Sequence, residues 1–364
     1  MSLLGNGAEK NDRALVLANF EARDGLSRGA HYTIPAIRKR HVHVTLRHVS
    51  VRGNDHKTIE GSIAGKFSHV YLLDPPSRYS RLLKQVAPEQ IVSAHRTGLW
   101  VRETNYVPRF WTSAASFLDE IWTPSKFSKQ LIQASSLARP IVVVPHSAIK
   151  PSQQGYKTGQ WPSLQTHPFK GLAVMDLRGG GGRKNPWAVI AAWKLAFAGN
   201  PQCHLLMKVR FSASRSILRE ELELLIGSDT NITLLDAFLP DEELNALLDE
   251  ADVFISLHRS EGYGLPVEEA LLRGTPVVAT DWSATVEFAR QYKNYHPVSH
   301  RPVSAYYWDK QIPSLRFQWA EADLNCTADQ LNSIYADWSP NALEAKAASR
   351  RVSTAINAET TSKA

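Results

Sequence analysis

Short apolar runs alternate along the chain with stretches whose apolar positions recur three and four residues apart, the strand and helix periods of open parallel sheets covered by helices. In the first half the runs predict strands at Arg13–Asn19, His43–Arg47, Val70–Leu73, Gln90–Ser93, Glu120–Thr123 and Ile141–Val144. In the second half they fall at Gly171–Leu177, His204–Val209, Ile232–Asp236, Val253–Leu257 and Pro276–Thr280, each followed by a helical stretch. Helix Pro186–Ala198 opens with Asn185 at the cap and Pro186 at the first helical position, and is expected to bury Val189, Ile190, Trp193, Leu195 and Phe197. Another helix, Asp241–Ala251, carries acidic residues in its first turn, where they complement the helix dipole.

Between the halves, Lys150–Pro168 has no periodicity and holds four Gln, two Gly and three Pro, the composition of a linker. The expected organisation is an α/β domain over 1–149, a linker over 150–168, a second α/β domain over 169–340 and an Ala-rich tail over 341–364. A length of 364 residues agrees, since it exceeds one ordinary core. With 43% apolar and 21% charged residues the chain is globular rather than disordered or fibrous. Cys203 and Cys326 are too few for a disulfide framework and fit a reducing compartment, so the expected location is cytoplasmic. No apolar run approaches the ~18 residues of a membrane span, and the chain is expected to be neither exported nor transmembrane.

The net charge of +7 is unevenly placed. Residues 1–149 hold 20 Lys and Arg against 11 Asp and Glu, whereas residues 150–364 hold 22 against 24. The basic excess recurs at Arg38, Lys39, Arg40, Arg47 and Arg52, close to Ile34 and Ile37, a mixture that suits peripheral contact with an anionic membrane at the inner face. It is not interleaved with aromatic residues as in a nucleic-acid-binding motif, so no nucleic-acid partner is expected.

Two segments carry candidate chemistry. Ser260-Glu261-Gly262-Tyr263-Gly264-Leu265-Pro266-Val267-Glu268-Glu269 follows a predicted strand, so Glu261 lies on a loop at the carboxyl edge of the sheet, where open α/β sheets bind ligands. Gly262 and Gly264 permit close backbone approach, and Pro266 suits the start of the next helix, with Glu269 in its first turns. A helix N-terminus beside two carboxylates suits a nucleotide sugar: N–H groups face phosphate, and carboxylates accept from hydroxyls. The second segment, Asp176-Leu177-Arg178-Gly179-Gly180-Gly181-Gly182-Arg183-Lys184-Asn185-Pro186, brings four glycines and three cations to another helix start. It is not a Walker A loop, because Lys184 follows Arg183 and Asn185 stands where Ser or Thr would hold magnesium. Lys208, near the end of the next strand, is a further candidate for a diphosphate. Metal is not expected: His41 and His43 have no evident third ligand, and no Asp-x-Asp, H-E-x-x-H or C-x-x-C occurs.

Glu261 and Glu269 match the E-x7-E motif of retaining glycosyltransferases of family 4, and Arg183-Lys184-Asn185-Pro186, Val278–Ser283 and Trp319-Ala320-Glu321 resemble the same family. In the first half, Gly25-Leu26-Ser27-Arg28-Gly29 resembles its glycine loop and Trp100-Val101-Arg102-Glu103 with Pro108 its acceptor-side segment. Asp119–Ser128 and Val144-Pro145-His146 are also similar. The similarity runs in order over about residues 15–325.

The resemblance implies a GT-B fold, two facing Rossmann-like domains with a cleft between them, the acceptor bound by the first and the donor by the second. It implies that Glu269 holds ribose hydroxyls, that Glu261 with Gly262, Tyr263, Gly264 and Leu265 holds the transferred sugar, and that Arg178, Arg183, Lys184 or Lys208 binds the diphosphate. Gly25, Arg28, His95, Trp100 and Glu103 are the acceptor-side candidates, with Trp111 beside them. The sequence departs from the family at the four-glycine run, at Ser147 after His146 and at Ala284 after Ser283, where the family often carries glycine. The implied activity is metal-independent transfer of a hexose from a nucleoside diphosphate sugar, GDP-mannose first and a UDP-hexose second. The acceptor is a glycan or glycolipid of cell-surface polysaccharide or lipopolysaccharide synthesis, and no cofactor is needed beyond the co-substrate. The alternatives are an inactive GT-B binding or scaffold subunit and a GT-B epimerase or phosphorylase.

Overall fold

The computed structural model describes residues 12–22, 24–50, 55–104, 106–135, 137–146, 168–212, 216–305 and 317–338. Contacts divide the chain into two compact units, residues 1–149 and 150–364. The expected linker up to residue 167, the tail after residue 340, Arg52 and Ser147 lie outside the described residues.

Unit 1 is built on β1 (Arg13–Ala18), α1 (Gly25–Arg38), β2 (His43–Val49), β3 (His56–Glu60), β4 (His69–Leu72), α2 (Tyr79–Leu83), α3 (Pro88–Ile91), β5 (His95–Leu99), α4 (Arg109–Ala115), β6 (Glu120–Thr123), α5 (Lys126–Gln133) and β7 (Ile141–Val143). The seven strands lie in the order β3-β2-β1-β4-β5-β6-β7, parallel except for the β2–β3 pair. Five of the six residues of β1 are buried, as in a central strand covered on both faces. Val16, Ile34, Ile37 and Trp122 share one core cluster, while Leu15, Leu17, Tyr79 and Trp100 share another.

Unit 2 runs β8 (Phe169–Asp176), α6 (Pro186–Phe197), β9 (Cys203–Arg210), α7 (Ser216–Ile226), β10 (Ile232–Asp236), α8 (Asp241–Glu250), β11 (Val253–Ser256), α9 (Leu265–Leu272), β12 (Val277–Thr280), α10 (Val286–Ala289), β13 (Tyr295–Val298), β14 (His300–Ser304), β15 (Gln318–Ala322) and α11 (Leu324–Asp337). Its main sheet is parallel throughout, in the order β10-β9-β8-β11-β12-β13. Strands β14 and β15 form a separate antiparallel ribbon.

The α/β class with parallel sheets in both halves is borne out, and the strand expectations fail at particular places. Gln90–Ser93 is the end of a helix and its exit, and the strand begins at His95. Leu195 is 55% exposed, because α6 turns Val189, Ile190, Trp193 and Phe197 inward and leaves Leu195 on the outer face. Asn185 occupies the cap position but does not cap: its φ of 55° is left-handed, whereas a capping side chain needs an extended backbone. Among the described residues no helix is long and apolar enough to cross a membrane.

Candidate functional site

In unit 2 the chain moves from β8 outward through β9 to β10, then returns to the other side of β8 with β11. β8 and β11 are therefore adjacent parallel strands whose following loops leave in opposite directions, the switch point at which such sheets open a crevice for ligands. The glycine-rich loop follows β8 and the Glu261 loop follows β11, so the topology joins the two segments.

At that edge Glu261 is 8% exposed and takes a cation on each oxygen. Arg183 Nη1 lies 3.0 Å from Oε2, and Lys184 Nζ donates to Oε1. Burial works to raise the Glu261 carboxyl, but the Lys184 and Arg183 charges outweigh it and hold the group at about 2. A carboxylate so stabilised is a poor base and a poor nucleophile; it fixes cations and can accept from a hydroxyl. The backbone holds it in place. Glu261 N–H donates to Ser283 Oγ at 2.9 Å, and Ala284 N–H donates to the Glu261 carbonyl at 3.2 Å. Ser283 adopts a φ of 68°, a strained conformation for a side chain of its kind, and sits at the site.

Behind the cations lies Arg259, 2% exposed. Its Nε donates to Glu321 Oε2 at 2.7 Å and its Nη1 to the Gly182 carbonyl at 2.6 Å, while its backbone N–H donates to the Arg183 carbonyl at 2.8 Å. Asn185 Nδ2 donates to the other Glu321 oxygen at 2.8 Å. One buried arginine thus ties the glycine loop to β15; Gly181 and Gly182 are buried in this braced part of the turn, whereas Gly179 is exposed. A Cβ at Gly181 would lie 2.7 Å from the Trp187 ring. His258 is fully buried between Ser256, Trp282 and Thr285, and burial lowers its pKa, which keeps the ring neutral beside Lys184 and Arg183.

Helix α9 starts at Leu265 after Gly264, whose φ of +100° and absent Cβ are both needed: a methyl group there would meet Thr285 Cγ2 at 2.4 Å. The residues before the two helices, Asn185 and Gly264, make no side-chain hydrogen bond to the first turns of α6 and α9, and both helices begin at the switch point. Gly262, Tyr263 and Leu265 are buried, and Glu269 is 2% exposed on α9. Tyr263 OH donates to Glu268 Oε1 at 3.0 Å, and burial pushes Glu268 up to about 7, with Tyr263 opposing and Glu269 reinforcing the shift.

Two further cations were expected at the diphosphate, Arg178 and Lys208. Arg178 holds Asp176 with Nε at 2.9 Å and Nη2 at 2.5 Å, on the exposed side of the loop. Lys208 is half-buried, two residues before the end of β9, on the face opposite Met207 and Val209.

Unit 1 has its own switch point, between β1 and β4. Asp74 follows β4 there, 5% exposed, with Arg78 Nη1 at 2.8 Å from Oδ1. Burial pushes its carboxyl up to about 6 against the opposing Arg78 charge. The expected glycine loop is the first turn of α1, capped by Asp24, which accepts from the Leu26 and Ser27 N–H groups. Gly25 is exposed at the helix start, and Arg28 is half-buried against Tyr32. A Cβ on Gly29 would lie 3.2 Å from His146 Nε2, and burial drives His146 down to about 3.

Three acceptor-side expectations change. His95 begins β5 and lies at the amino edge of the sheet, the opposite end from Asp74; a strand ending at Ser93 would have placed it at the carboxyl edge. Trp100 is fully buried, its Nε1 donating to Tyr79 OH at 2.9 Å and its ring packed edge-on against Trp111, so it belongs to the core. Ile34 and Ile37, expected to accompany surface cations, are also core residues. Arg38 pairs with Glu60 at 2.5 Å, and Arg40 stacks over Trp122 at 4.4 Å. Glu103 is half-buried in the loop after β5. Arg259 and Asp74 were not singled out from sequence; Ser283, Glu268 and Glu321 entered only as members of longer segments.

Residues 187–303 match the family model described as Glycosyl transferases group 1. No curated protein matches the chain in sequence. Among solved structures, a glycosyltransferase from Rickettsia africae shares 12% identity with a TM-score of 0.61, covering 95% of this chain and 94% of that one. WaaG, a glycosyltransferase involved in lipopolysaccharide biosynthesis, shares 12% identity with a TM-score of 0.58, covering 94% and 95%. The pneumococcal O-GlcNAc transferase GtfA, in complex with UDP and GlcNAc, shares 16% identity with a TM-score of 0.51 over 79% of this chain, which spans 53% of that one. With the two parallel sheets, these likenesses give the chain the GT-B fold of two Rossmann-like units, the second carrying a segment of the glycosyl transferases group 1 type.

Proposed function

We propose that the protein is a retaining, metal-independent glycosyltransferase that moves a hexose from a nucleoside diphosphate sugar to a glycan or lipid-linked glycan acceptor. The observation that carries this reading is Glu261 with a cation on each oxygen, at the switch point where α6 and α9 begin. Arg183 and Lys184 against Glu261 leave an excess positive charge at the starts of two helices, the electrostatics a departing diphosphate requires. Glu261 is a weak candidate for a nucleophile, since Lys184 and Arg183 engage both its oxygens and hold it at about 2. Retention then falls to the leaving phosphate, which takes the acceptor proton on the face it vacates while the cations stabilise its charge. The sugar hydroxyls are given to Glu261 and the Gly262–Leu265 backbone, and the ribose to Glu269. GDP-mannose is the first donor and a UDP-hexose the second; neighbours of this fold whose structures hold UDP support keeping the latter in view.

On the acceptor side we assign Asp74, a buried carboxylate at the unit 1 switch point, to a hydroxyl of the acceptor. A lipid-linked acceptor is favoured by the basic excess of residues 1–149; with Ile34 and Ile37 inside the core, attraction to an anionic bilayer rests on charge alone. The test is calorimetric binding of GDP, UDP, dTDP and ADP and their sugars, followed by transfer assays with the donor that binds. Transfer with retained anomeric configuration in excess EDTA is expected. Donor hydrolysis or transfer that disappears on chelation and returns with magnesium would refute the cation-cluster chemistry.

A further inference from the structure

At the amino edge of the unit 1 sheet, away from the switch point, three side chains from separate segments converge: Asp12 just before β1, His41 in the turn between α1 and β2, and His69 at the first position of β4. One potential ligand atom from each lies within 4.8 Å of the others. We propose that this is a binding site for a divalent transition-metal ion of the zinc class, held by Asp12 Oδ1, His41 Nδ1 and His69 Nε2.

The arrangement of the remaining nitrogens supports it. His41 Nε2 lies 2.8 Å from Tyr71 OH, and His69 Nδ1 lies 3.1 Å from Ser68 Oγ. Each ring therefore has one nitrogen oriented by a neighbouring hydroxyl, which leaves the other for an ion, the pattern by which outer partners fix metal-ligating histidines. His41 is 8% exposed and its ring centroid is 4.3 Å from that of His69, so neither ring is a loose surface group. Asp12, with a side chain 36% exposed, gives access from solvent, and a cavity of about 730 Å³ elsewhere in the chain plays no part.

Without metal, Asp12 Oδ1 and His41 Nδ1 are 2.6 Å apart, within hydrogen-bond distance. Two ligands of a tetrahedral zinc, each about 2.0–2.2 Å from the ion, stand roughly 3.3 Å apart, so binding spreads this pair by less than an ångström. The His41 proton then resides on Nε2, donated to the Tyr71 oxygen, and solvent supplies the fourth ligand. The second cluster of this kind, Glu21, His48 and Asp55, lacks the same fitness: the Lys57 ammonium already sits 2.5 Å from Glu21. The ion ties together the amino ends of β1, β2 and β4, on the side of the sheet opposite the ligand-binding edge, so it stabilises unit 1 and takes no part in transfer.

The test uses the full chain stripped with a chelator and dialysed free of it. Zinc is titrated by calorimetry and by thermal melting, on the wild type, Asp12→Ala, His69→Ala and Tyr71→Phe. One tight equivalent per chain and a raised melting temperature are expected for the wild type. Both ligand variants should lose that equivalent, and Tyr71→Phe should bind about ten-fold or more weakly. Cobalt substitution should give the visible absorption of a tetrahedral site in the wild type alone. Circular dichroism of each metal-free variant identifies any that fails to fold. The absence of a tight equivalent in the wild type, or its persistence in folded Asp12→Ala and His69→Ala, overturns the proposal.

Discussion

Replacing Glu261 by Gln removes one charge and almost no volume, and leaves Arg183 and Lys184 facing an amide. The oxygen can still accept from one cation, but the NH2 group opposes the other. Side-chain exposures of 10% for Glu261, 18% for Lys184 and 28% for Arg183 place the group between the surface and the interior. Removing one partner of a fully buried pair costs about 3–5 kcal/mol, and partial hydration of the cations brings this to about 2–3 kcal/mol. The displacement of the Glu261 carboxyl from 4.5 to about 2 corresponds to about 3 kcal/mol by linkage, which agrees. Because the folded-state value is depressed, the stabilisation is present above the ordinary value of 4.5 and is lost as pH falls through about 2. Thermal melting should show the unit 2 transition of Glu261→Gln lowered by about 5–10 °C at neutral pH. The gap to the wild type should narrow between pH 4.5 and 2. Because Glu261 holds the two cations in place, the same variant should bind the nucleoside diphosphate more weakly than the wild type, and transfer should fall. A variant that melts with the wild type at pH 7, or binds the nucleotide as tightly as the wild type does, would refute the account of Glu261 as the group that holds the cations in place.

Glu269→Gln should weaken nucleotide binding by about 1.5–3 kcal/mol in calorimetry, the worth of a charged hydrogen-bond acceptor, with the acceptor KM unchanged. Asp74→Asn should do the reverse, raising the acceptor KM with donor binding intact; equal effects on both substrates would remove the acceptor assignment. In flotation with anionic vesicles, the protein should rise at low salt and be released at high salt, and an Arg38, Lys39 and Arg40 triple Ala variant should rise less. Recovery of the wild type in the soluble fraction at low salt would favour a soluble acceptor.

The parallel sheets were legible because buried strands read as near-continuous apolar runs: β6 and β10 fall on the predicted residues, and β1, β2, β4, β8, β9, β11 and β12 lie within two residues of theirs. Where burial does not write that pattern, the reading failed. β3 is exposed at every position, as an edge strand, and was not seen. β5 begins with His95 and Arg96, whose polar side chains fit the amino edge, and the apolar Ile91-Val92 pair just before it drew the prediction to the end of α3. That error of a few residues carried His95 to the wrong end of the sheet. Around the site, Glu261, Arg183 and Lys184 were readable from local motifs, because their spacing along the chain is the signal. Arg259 was not, since its partner Glu321 lies 62 residues away and a lone arginine after a strand looks like any surface cation.

The charge arrangement in unit 2 explains why a site for an anion is built with a carboxylate at its centre. Two cations on neighbouring residues, partly withdrawn from water, repel each other and would turn outward unless an anion held them. Glu261 holds them, and is itself held by Ser283 and by the backbone of Ala284. Arg259 and Glu321 fix the loop that carries the cations, so that Arg183 and Lys184 need little rearrangement when a diphosphate arrives. In the proposed reaction the carboxylate shares its cations with phosphate and turns its lone pairs to a sugar hydroxyl, a substitution of one set of charge-assisted bonds for another. Catalytic groups that are already oriented gain more from the developing charge of a leaving group than groups that must first be gathered.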